Sequence, residues 1–592
     1  MPIFPSRRRF IAGSSSALAA VVLPQALTGC GSSSQPPSEF RFGVASGDPL
    51  TDRVILWTHA RIPESTQAVG LTWQVSIDSA FSTIAQSGRT SAGPDTGFTV
   101  KEDATGLAAG NTYFFRFIDD AGVVSPVGQT RTLPRSDVAS LKFAIFSCSL
   151  YSEGYFHAYD AAAKSDAQYA LHLGDYIYEY GADPTKYGNA DAVKLDRVTQ
   201  PAGETVTLED YRARYARYRS DPSLQAVHAR MPFITVWDDH EFANNAWVNG
   251  AENHKSGQGD WNARKASAAR AYHEWMPIRT DASGNALKIY RRFDFGSLLT
   301  LHMLDTRIEG RDQQYDGFGD ADGGVGRYLT ALATGTDASR RMVSTAQQSW
   351  LVDGMRTSTA TWQLLGNQDI MARMWIPAHV LQAQNAAFAS PTAANQQAVA
   401  KAVSDYLGAK ATRLAAGAAA LTPAQAGLLD ARVNPRIPYN LDAWDGYPSQ
   451  REAILQAAKA AGKRLVAVSG DSHNAWFANL TTLAGERVGW EFAGASVTSP
   501  GFESVGLGSF GSSLDGSALV PQLGNAATGA GLGLVDDLGW ADTSRRGYLL
   551  LTVTPGSTKG EFVFVDSVKT RAYTSAIGKT ITVQATGTVD IR

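Results

Sequence analysis

Five short polar segments each follow an apolar run, and each carries side chains able to bind metals or move protons. They are Ser147-Cys148-Ser149, Gly174-Asp175-Tyr176-Ile177-Tyr178-Glu179, Asp238-Asp239-His240-Glu241 with Asn244 and Asn245 close behind, Gly366-Asn367-Gln368, and Gly470-Asp471-Ser472-His473-Asn474. Gathered on one rim, they would bring together carboxylates, a thiol, a phenol, imidazoles and amides. Clustered carboxylates repel, so such a set is costly unless cations neutralise it. Metal ions are the natural solution. A glycine before Asp175 and before Asp471 lets the backbone turn sharply and aim the carboxylate inward. Asp175 and Tyr178 stand at i and i+3, so both reach one ion if a helical turn begins there. Asp471 and His473 stand at i and i+2, on the same side of an extended end.

Each member also has a plainer reading on its own. Cys148 alone is a small buried hydrophobe, Tyr178 is packing, Asp239 is a helix N-cap, and His240 is a satisfied core histidine. His172 and His302, inside apolar runs, are assigned to that core class. The set outweighs its members because each falls after an expected strand.

The elements that must position these residues begin after Pro134-Arg135-Ser136. Apolar runs at 141–146, 169–173, 233–237, 299–304, 362–365 and 465–469 read as strands. Helical stretches at 155–164, 208–218 and 261–275 lie between them. Alternating strands and helices imply an α/β domain whose sheets are covered by helices, with ligands gathered at the carboxyl ends of strands. Residues 378–429 are rich in Ala and Gln and read as a helical insertion over or beside the site. Residues 529–533 are glycine-rich, but they lack a strand-loop-helix setting and a Lys-Ser/Thr, so they read as a plain loop. Ahead of this domain, residues 40–134 hold short alternating runs such as Val54–Trp57, Leu71–Val75 and Tyr113–Phe117. That pattern predicts a small all-β sandwich of immunoglobulin or fibronectin type, with no catalytic constellation inside it.

The N-terminus reads as an address. Ser6-Arg7-Arg8-Arg9-Phe10-Ile11 precedes an apolar stretch from Ala17 to Leu27 that is too short for a spanning helix. The Arg pair followed by Phe and Ile fits a twin-arginine export signal over residues 1–30. Leu27-Thr28-Gly29-Cys30 resembles a bacterial lipobox in which Cys30 is lipidated; the alternative is an ordinary cleavage site with a stray cysteine. Residues 31–39 form a Ser/Pro-rich tether. The expectation is an exported protein, periplasmic or at the cell surface, anchored to the membrane by lipid and monomeric. Its partner in transit is the twin-arginine machinery, a route that carries folded proteins and so suits a cofactor loaded before export. Bulk composition narrows the rest. A chain of 592 residues needs more than one ordinary core. A net charge of −3 without a basic stripe argues against specific nucleic-acid binding. Two cysteines, Cys30 and Cys148, exclude a disulfide framework.

Gly-Asp, then Asp-His-Glu, then Gly-Asp-x-His resembles the metallophosphoesterase pattern. The departures from it resemble one branch, the PhoD-like alkaline phosphatases. They are Tyr178 after Asp175, Trp237-Asp238-Asp239-His240-Glu241, Ser496-Val497-Thr498-Ser499-Pro500-Gly501, and the module opening Arg41-Phe42-Gly43-Val44-Ala45-Ser46-Gly47-Asp48-Pro49. The resemblance spans nearly the whole mature chain. It implies a metallophosphoesterase-type β-sheet sandwich flanked by helices over 138–592, behind the small β-sandwich. It implies an iron(III) ion, Fe3+, held by Cys148, Asp175, Tyr178 and His473. Beside it would lie Ca2+, to which Asp175 bridges, helped by Asp471 and by Asp239 or Asn244, with Asn367 as a further candidate. Members of the family are also described as holding a second calcium, whose ligands the pattern does not place. The implied activity is hydrolysis of phosphate monoesters; phosphodiesterase action, including on phospholipid or polymeric diesters, is the alternative. A surface-anchored binding protein is the rival of another class, and a serine-nucleophile phosphatase ranks below it. His240 is the candidate for protonating the leaving oxygen or stabilising developing charge. Arg307 either contacts the phosphate or pairs with Asp305 or another acid.

Overall fold

In the computed structural model, residues 37–592 are described apart from 137, 316–323, 506, 509 and 518–531. The export signal, Arg7, Arg8, Cys30 and most of the tether therefore lie outside the described residues, as do residues 529–531 of the glycine-rich stretch. Among the described residues, no helix is long and apolar enough to cross a membrane.

The module at 40–134 is built from β1 (Val44–Gly47), β2 (Arg53–His59), β3 (Val69–Ser76), β4 (Ile84–Ala92), β5 (Thr99–Thr105), β6 (Thr112–Asp119) and β7 (Gly128–Arg131). Alternation decides which faces meet. In β6, Tyr113, Phe115 and Phe117 point into the core while Thr112, Phe114 and Arg116 are half-buried. Strands β4-β3-β6-β7 form one sheet, packed through Leu71, Val75, Phe115 and Phe117 against Val54, Leu56 and Val100 of β2 and β5.

The catalytic-type domain supplies β8 (Leu141–Phe146), β9 (Tyr169–His172), β10 (Phe233–Thr235), β11 (Arg291–Phe295), β12 (Leu299–Met303), β13 (Trp362–Gly366), β14 (Trp375–Pro377), β15 (Arg436–Pro438), β16 (Arg464–Ser469), β17 (Ala475–Thr481), β18 (Arg487–Ala493), β19 (Leu538–Asp542), β20 (Arg546–Val553), β21 (Ser557–Val565), β22 (Ser575–Gln584) and β23 (Val589–Ile591). A ten-stranded sheet runs β23-β22-β21-β20-β8-β9-β10-β1-β2-β5, and a seven-stranded sheet runs β11-β12-β13-β16-β18-β17-β19. The sandwich module is thus not a bead apart. Its β1 runs parallel to β10, with Gly47 opposite Phe233, so one sheet serves both modules.

The two large sheets face each other across Phe143, Ile145, Leu171 and Ile234 on one side and Leu301, Leu364, Val466 and Phe492 on the other. Every residue of β9, β12 and β13 is buried, the mark of parallel strands covered on both faces. His172 and His302 lie there, bonded to Tyr159 Oη (2.8 Å) and Gln363 Oε1 (3.0 Å), as core histidines. Helices Leu208–Arg219, Pro222–Arg230 and Trp261–Trp275 cover the outside of the first sheet. Helices Thr345–Thr357 and Pro448–Ala460 cover the second. The Ala-rich region forms helices Ala378–Ala389, Ala393–Ala416 and Pro423–Leu429. Val380, Leu381, Tyr406 and Leu407 fix it to that second outer core, so it sits beside the centre. Strands β8, β9 and β10 run parallel in one sheet, and β12, β13, β16 and β18 run parallel in the other. Their carboxyl ends share one rim.

Candidate metal centre

Cys148 follows β8 and Asp175 follows β9. Two backbone bonds clamp these ends together, Cys148 N to Gly174 O (3.2 Å) and Ser149 N to Asp175 O (2.9 Å). From the facing sheet, the loop after β16 brings His473. One ligand atom each from Cys148, Asp175 and His473 lie within 4.8 Å of one another. Tyr178 Oη donates to Asp175 Oδ2 at 2.9 Å and stands 3.2 Å from His473 Nε2. Ser499 Oγ donates to that same phenol oxygen at 2.6 Å. His473 Nδ1 lies 2.8 Å from Pro500 O, so the proton sits on Nδ1 and the Nε2 lone pair faces the cluster. Burial, with Arg546 nearby, lowers the His473 pKa to about 3, which keeps the imidazole neutral as a ligand must be. Burial raises the Cys148 thiol and the Tyr178 phenol, and the Asp175 charge adds to both. A cation among them would release those protons.

The second group is acidic. Ligand atoms of Asp238, Asp239 and Asp471 lie within 4.8 Å of one another, as do those of Asp369, Asp442 and Asp471. Arg307, fully buried, threads between them. Its Nε donates to Asp238 Oδ1, its Nη1 to Asp442 Oδ2 at 2.8 Å, and its Nη2 to Asp369 Oδ1 and Asp471 Oδ1, each at 3.0 Å. Arg311 pairs with Asp442 behind it. Two guanidinium groups do not balance this many carboxylates. Three buried oxygens, Asp175 Oδ1, Asp238 Oδ2 and Asp239 Oδ1, have no hydrogen-bond partner. Of the three, Asp239 Oδ1 has a cation near, Arg307 Nη2 at 3.7 Å. Buried polar atoms ordinarily have hydrogen-bond partners, so carboxylate oxygens without them on one rim fit a hard cation. Burial and mutual repulsion raise Asp175, Asp238 and Asp471 well above the carboxylate range. Burial also opposes charge on Asp239, but Arg307 and His240 outweigh it and hold that group low.

His240 faces the same rim, within 4.8 Å of Asp175 and Asp239 by ligand atoms. Its Nδ1 lies 2.7 Å from Glu179 Oε2, and Glu179 is fully buried. The other Glu179 oxygen accepts from Asn244 N (2.7 Å) and Asn253 Nδ2 (3.1 Å). Burial lowers the His240 pKa, but Asp239, Asp175 and Glu179 outweigh it and raise the pKa well above its ordinary value. Glu241 of the same 3-10 turn is no ligand. It accepts Asp175 N (2.9 Å), Tyr176 N (2.5 Å), Ile177 N (3.1 Å) and Asp238 N (2.6 Å), stapling the ends of β9 and β10 together.

Local geometry corrects three expectations. Residues 176–179 form no helical turn; Tyr178 meets Asp175 by direct hydrogen bonding. The end at Asp471 and His473 is not extended. Both have left-handed φ, 57° and 60°, so Asp471 turns to Arg307 while His473 turns to Tyr178. The two glycines act differently from each other. Gly174 does turn, with φ 106°. Gly470 has no positive φ and is needed for close approach, since a Cβ there would lie 2.5 Å from Ser147 Cβ.

Cys148, Asp175, Tyr178, Asp239, Asp471, His473 and His240 therefore come together. Asn244 is more peripheral, with Oδ1 accepting from Tyr180 Oη (3.0 Å) and Nδ2 donating to Glu252 (3.1 Å). Asn367 is buried with both ends engaged, by Trp444 Nε1 (3.1 Å) and by Asp369 O. The guanidinium of Arg307 bonds Asp238, Asp369, Asp442 and Asp471; Asp305 instead accepts its backbone N–H at 2.9 Å. The motif reading passed over Asp238, Glu179, Asp369, Asp442 and Ser499. Asp238, Glu179 and Asp369 lie within or beside the quoted strand-end segments, and Ser499 in the Ser496–Gly501 segment, so their positions were visible and their roles were not. Asp442 sits in a loop after the helical insertion, preceded only by the three-residue strand β15, too short to stand out as an apolar run.

Comparison with known proteins gives consistent matches. Residues 143–562 match the PhoD-like phosphatase family, and residues 25–134 match the PhoD-like phosphatase N-terminal domain. Alkaline phosphatase D of Bacillus subtilis (strain 168) is 32% identical over 481 residues, covering 78% of this chain and 70% of that protein. A solved structure of PhoD superposes with a TM-score of 0.70 at 29% identity, covering 94% of this chain and 92% of that one.

Proposed function

The chain belongs to the PhoD-like phosphatase family, and from that premise we propose that its rim of ligands is a ferric and calcium centre hydrolysing phosphate monoesters outside the cytoplasm. The chain is a phosphoric ester hydrolase. The observation that carries the metal reading is the meeting of Cys148, Asp175, Tyr178 and His473 beside three buried carboxylate oxygens that accept no hydrogen bond. Thiolate, phenolate and imidazole donors suit iron. Asp175, Asp239 and Asp471, all oxygen, suit calcium. Bound there, the metals supply charge that neutralises phosphate oxygens and lowers the pKa of water.

The protein's own groups do the rest. Glu179 holds His240 by Nδ1, so Nε2 is turned toward the ester to protonate the leaving oxygen. Arg307 holds Asp238, Asp369, Asp442 and Asp471 in place and shares its charge with a phosphate drawn into the rim. Phosphodiester hydrolysis is the alternative use of the same centre. Export through Arg7 and Arg8, and anchoring through lipidated Cys30, complete the reading.

The test is to purify the full chain, measure bound iron and calcium, and assay monoester and diester substrates side by side. Activity should vanish on exhaustive calcium chelation and return with calcium. Full activity after chelation would remove calcium from the reading.

A further inference from the structure

Beside the acid cluster opens a cavity of about 620 Å³, walled in part by Asn245, Trp247, Glu252, Asp312, Tyr315 and Arg340. Two routes tie it to the centre. Asn245 donates its backbone N–H to Asp239 Oδ2 at 2.5 Å. The Tyr447 ring has two guanidinium groups over it, Arg340 at 5.0 Å from its centroid and Arg311 at 5.1 Å, and Arg311 in turn holds Asp442. A group leaving a phosphate at the rim therefore has this cavity next to it. We propose that the cavity is the subsite for the organic half of the ester and that it takes a nucleoside-type group, a planar heteroaromatic ring bearing a polyol. The inference rests on the phosphate-ester reading and names the substrate class of that same site.

The walls carry the argument. Trp247 is half-buried and presents apolar ring surface to the cavity. The Arg340 guanidinium lies 3.9 Å from the Tyr315 ring centroid and 5.0 Å from that of Tyr447, and its buried Nε has no hydrogen-bond partner among the described residues. The Trp247 indole is the face left for a planar ligand to stack on, and the ring-held guanidinium offers an N–H donor at the same cavity. Two carboxylates also line the cavity, each accepting from neutral donors among the described residues. Glu252 Oε2 accepts from Asn244 Nδ2 and Asn245 Nδ2 at 3.1 and 2.7 Å. Asp312 Oδ2 accepts from Arg341 N at 2.8 Å. Each keeps lone pairs for further donors, and adjacent sugar hydroxyls or a ring amine supply them. An aliphatic chain here would desolvate charged groups without pairing them. A three-carbon alcohol would leave most of a cavity of this size unfilled.

The test compares hydrolysis of adenosine 5′-monophosphate and glycerol 3-phosphate by the full chain, its Trp247→Ala and Arg340→Ala variants, and calorimetric binding of adenosine alone. The expected result is a kcat/KM about tenfold higher for the nucleotide, as stacking on an aromatic face gives. Trp247→Ala and Arg340→Ala should lower the nucleotide figure more than the glycerol figure, chiefly through KM, and weaken adenosine binding. Equal kcat/KM for the two esters in the unsubstituted chain, equal losses for both in the variants, or no adenosine binding would overturn the subsite. Adenosine binding that depends on Trp247, with neither ester hydrolysed, would uphold the subsite and sink the phosphatase reading instead.

Discussion

Glu179→Gln is the sharpest test of how the centre handles protons. The substitution keeps size and shape but removes the negative charge 2.7 Å from His240 Nδ1, in a position with no exposure to water. A charge-assisted hydrogen bond of this kind is worth about 1.5–3 kcal/mol. Losing it lowers the His240 pKa, although Asp239 and Asp175 still favour the charged ring. The sign follows from the charge removed. Glu179 favours the imidazolium, so without it the protonated fraction falls at a lower pH, and the descending alkaline limb of kcat shifts downward. The consequence depends on the leaving group. A p-nitrophenolate departs unaided, so kcat for its ester should change by no more than about threefold, whereas an alkoxide needs the proton and should slow by roughly tenfold to a hundredfold at alkaline pH. The assay is the pH profile of kcat for p-nitrophenyl phosphate and for an alkyl phosphate, wild type against variant, with iron and calcium content measured on the same samples. Equal losses for both esters at unchanged metal content, or an alkaline limb that does not move, would refute the proton-delivery role.

Three further outcomes are expected. The holoprotein should be coloured with about one iron per chain, since thiolate and phenolate donors to one ferric ion absorb in the visible; Tyr178→Phe should shift or bleach the band, and Cys148→Ser should lower iron content further, whereas an iron-free, colourless and fully active enzyme would remove iron from the centre. Replacing both Arg7 and Arg8 by Lys should block export, and Cys30→Ala should move the protein from the membrane to the soluble fraction; normal export of the double variant would mean that a general route suffices. Glu241→Ala should strip the acceptor from four backbone N–H groups, at about 1 kcal/mol or more for each one left buried and unpaired; resistance to urea and metal content should fall together, and unchanged values would show that the staple is dispensable.

The N-terminal module is bound into the catalytic rim more closely than a linker-joined domain. Asp48, buried just past β1, accepts Arg291 Nη2 at 2.6 Å and Arg279 N at 2.8 Å. The same Arg291 Nη2 donates to Thr235 O at 2.8 Å, the last residue of β10, three positions before Asp238. A charge in the small module thus ties down the strand that delivers Asp238, Asp239 and His240. That pairing is non-local, and the sequence of residues 40–134 alone contains nothing that points to Arg291.

What was legible was periodicity. Runs buried on both faces, such as Leu141–Phe146 and Trp362–Gly366, announced themselves as strands, and polar residues placed after them announced the rim. Strands β21 to β23 were not read, because antiparallel strands with one half-exposed face, such as Ser575–Gln584, mix polar and apolar residues; β20, buried almost throughout, was not read because no ligand-bearing polar segment follows it. The roles of Glu179 and Glu241 were hidden for another reason. A carboxylate that binds a metal and one that caps backbone N–H groups look alike in a sequence; only the loop's path separates them. That path is itself unusual. Cys148, Asp175, Asp471 and His473 all hold left-handed φ between 54° and 60°, a conformation that costs a non-glycine residue about 1 kcal/mol or more. No residue-type preference predicts four such turns in non-glycine positions. They persist because the backbone bonds between Cys148 and Gly174 and between Ser149 and Asp175, and the four N–H groups gathered by Glu241, hold the rim in that shape. These four positions lie where donor atoms from two sheets must converge within 4.8 Å, a convergence that extended strand ends, with side chains alternating to opposite faces, would not supply.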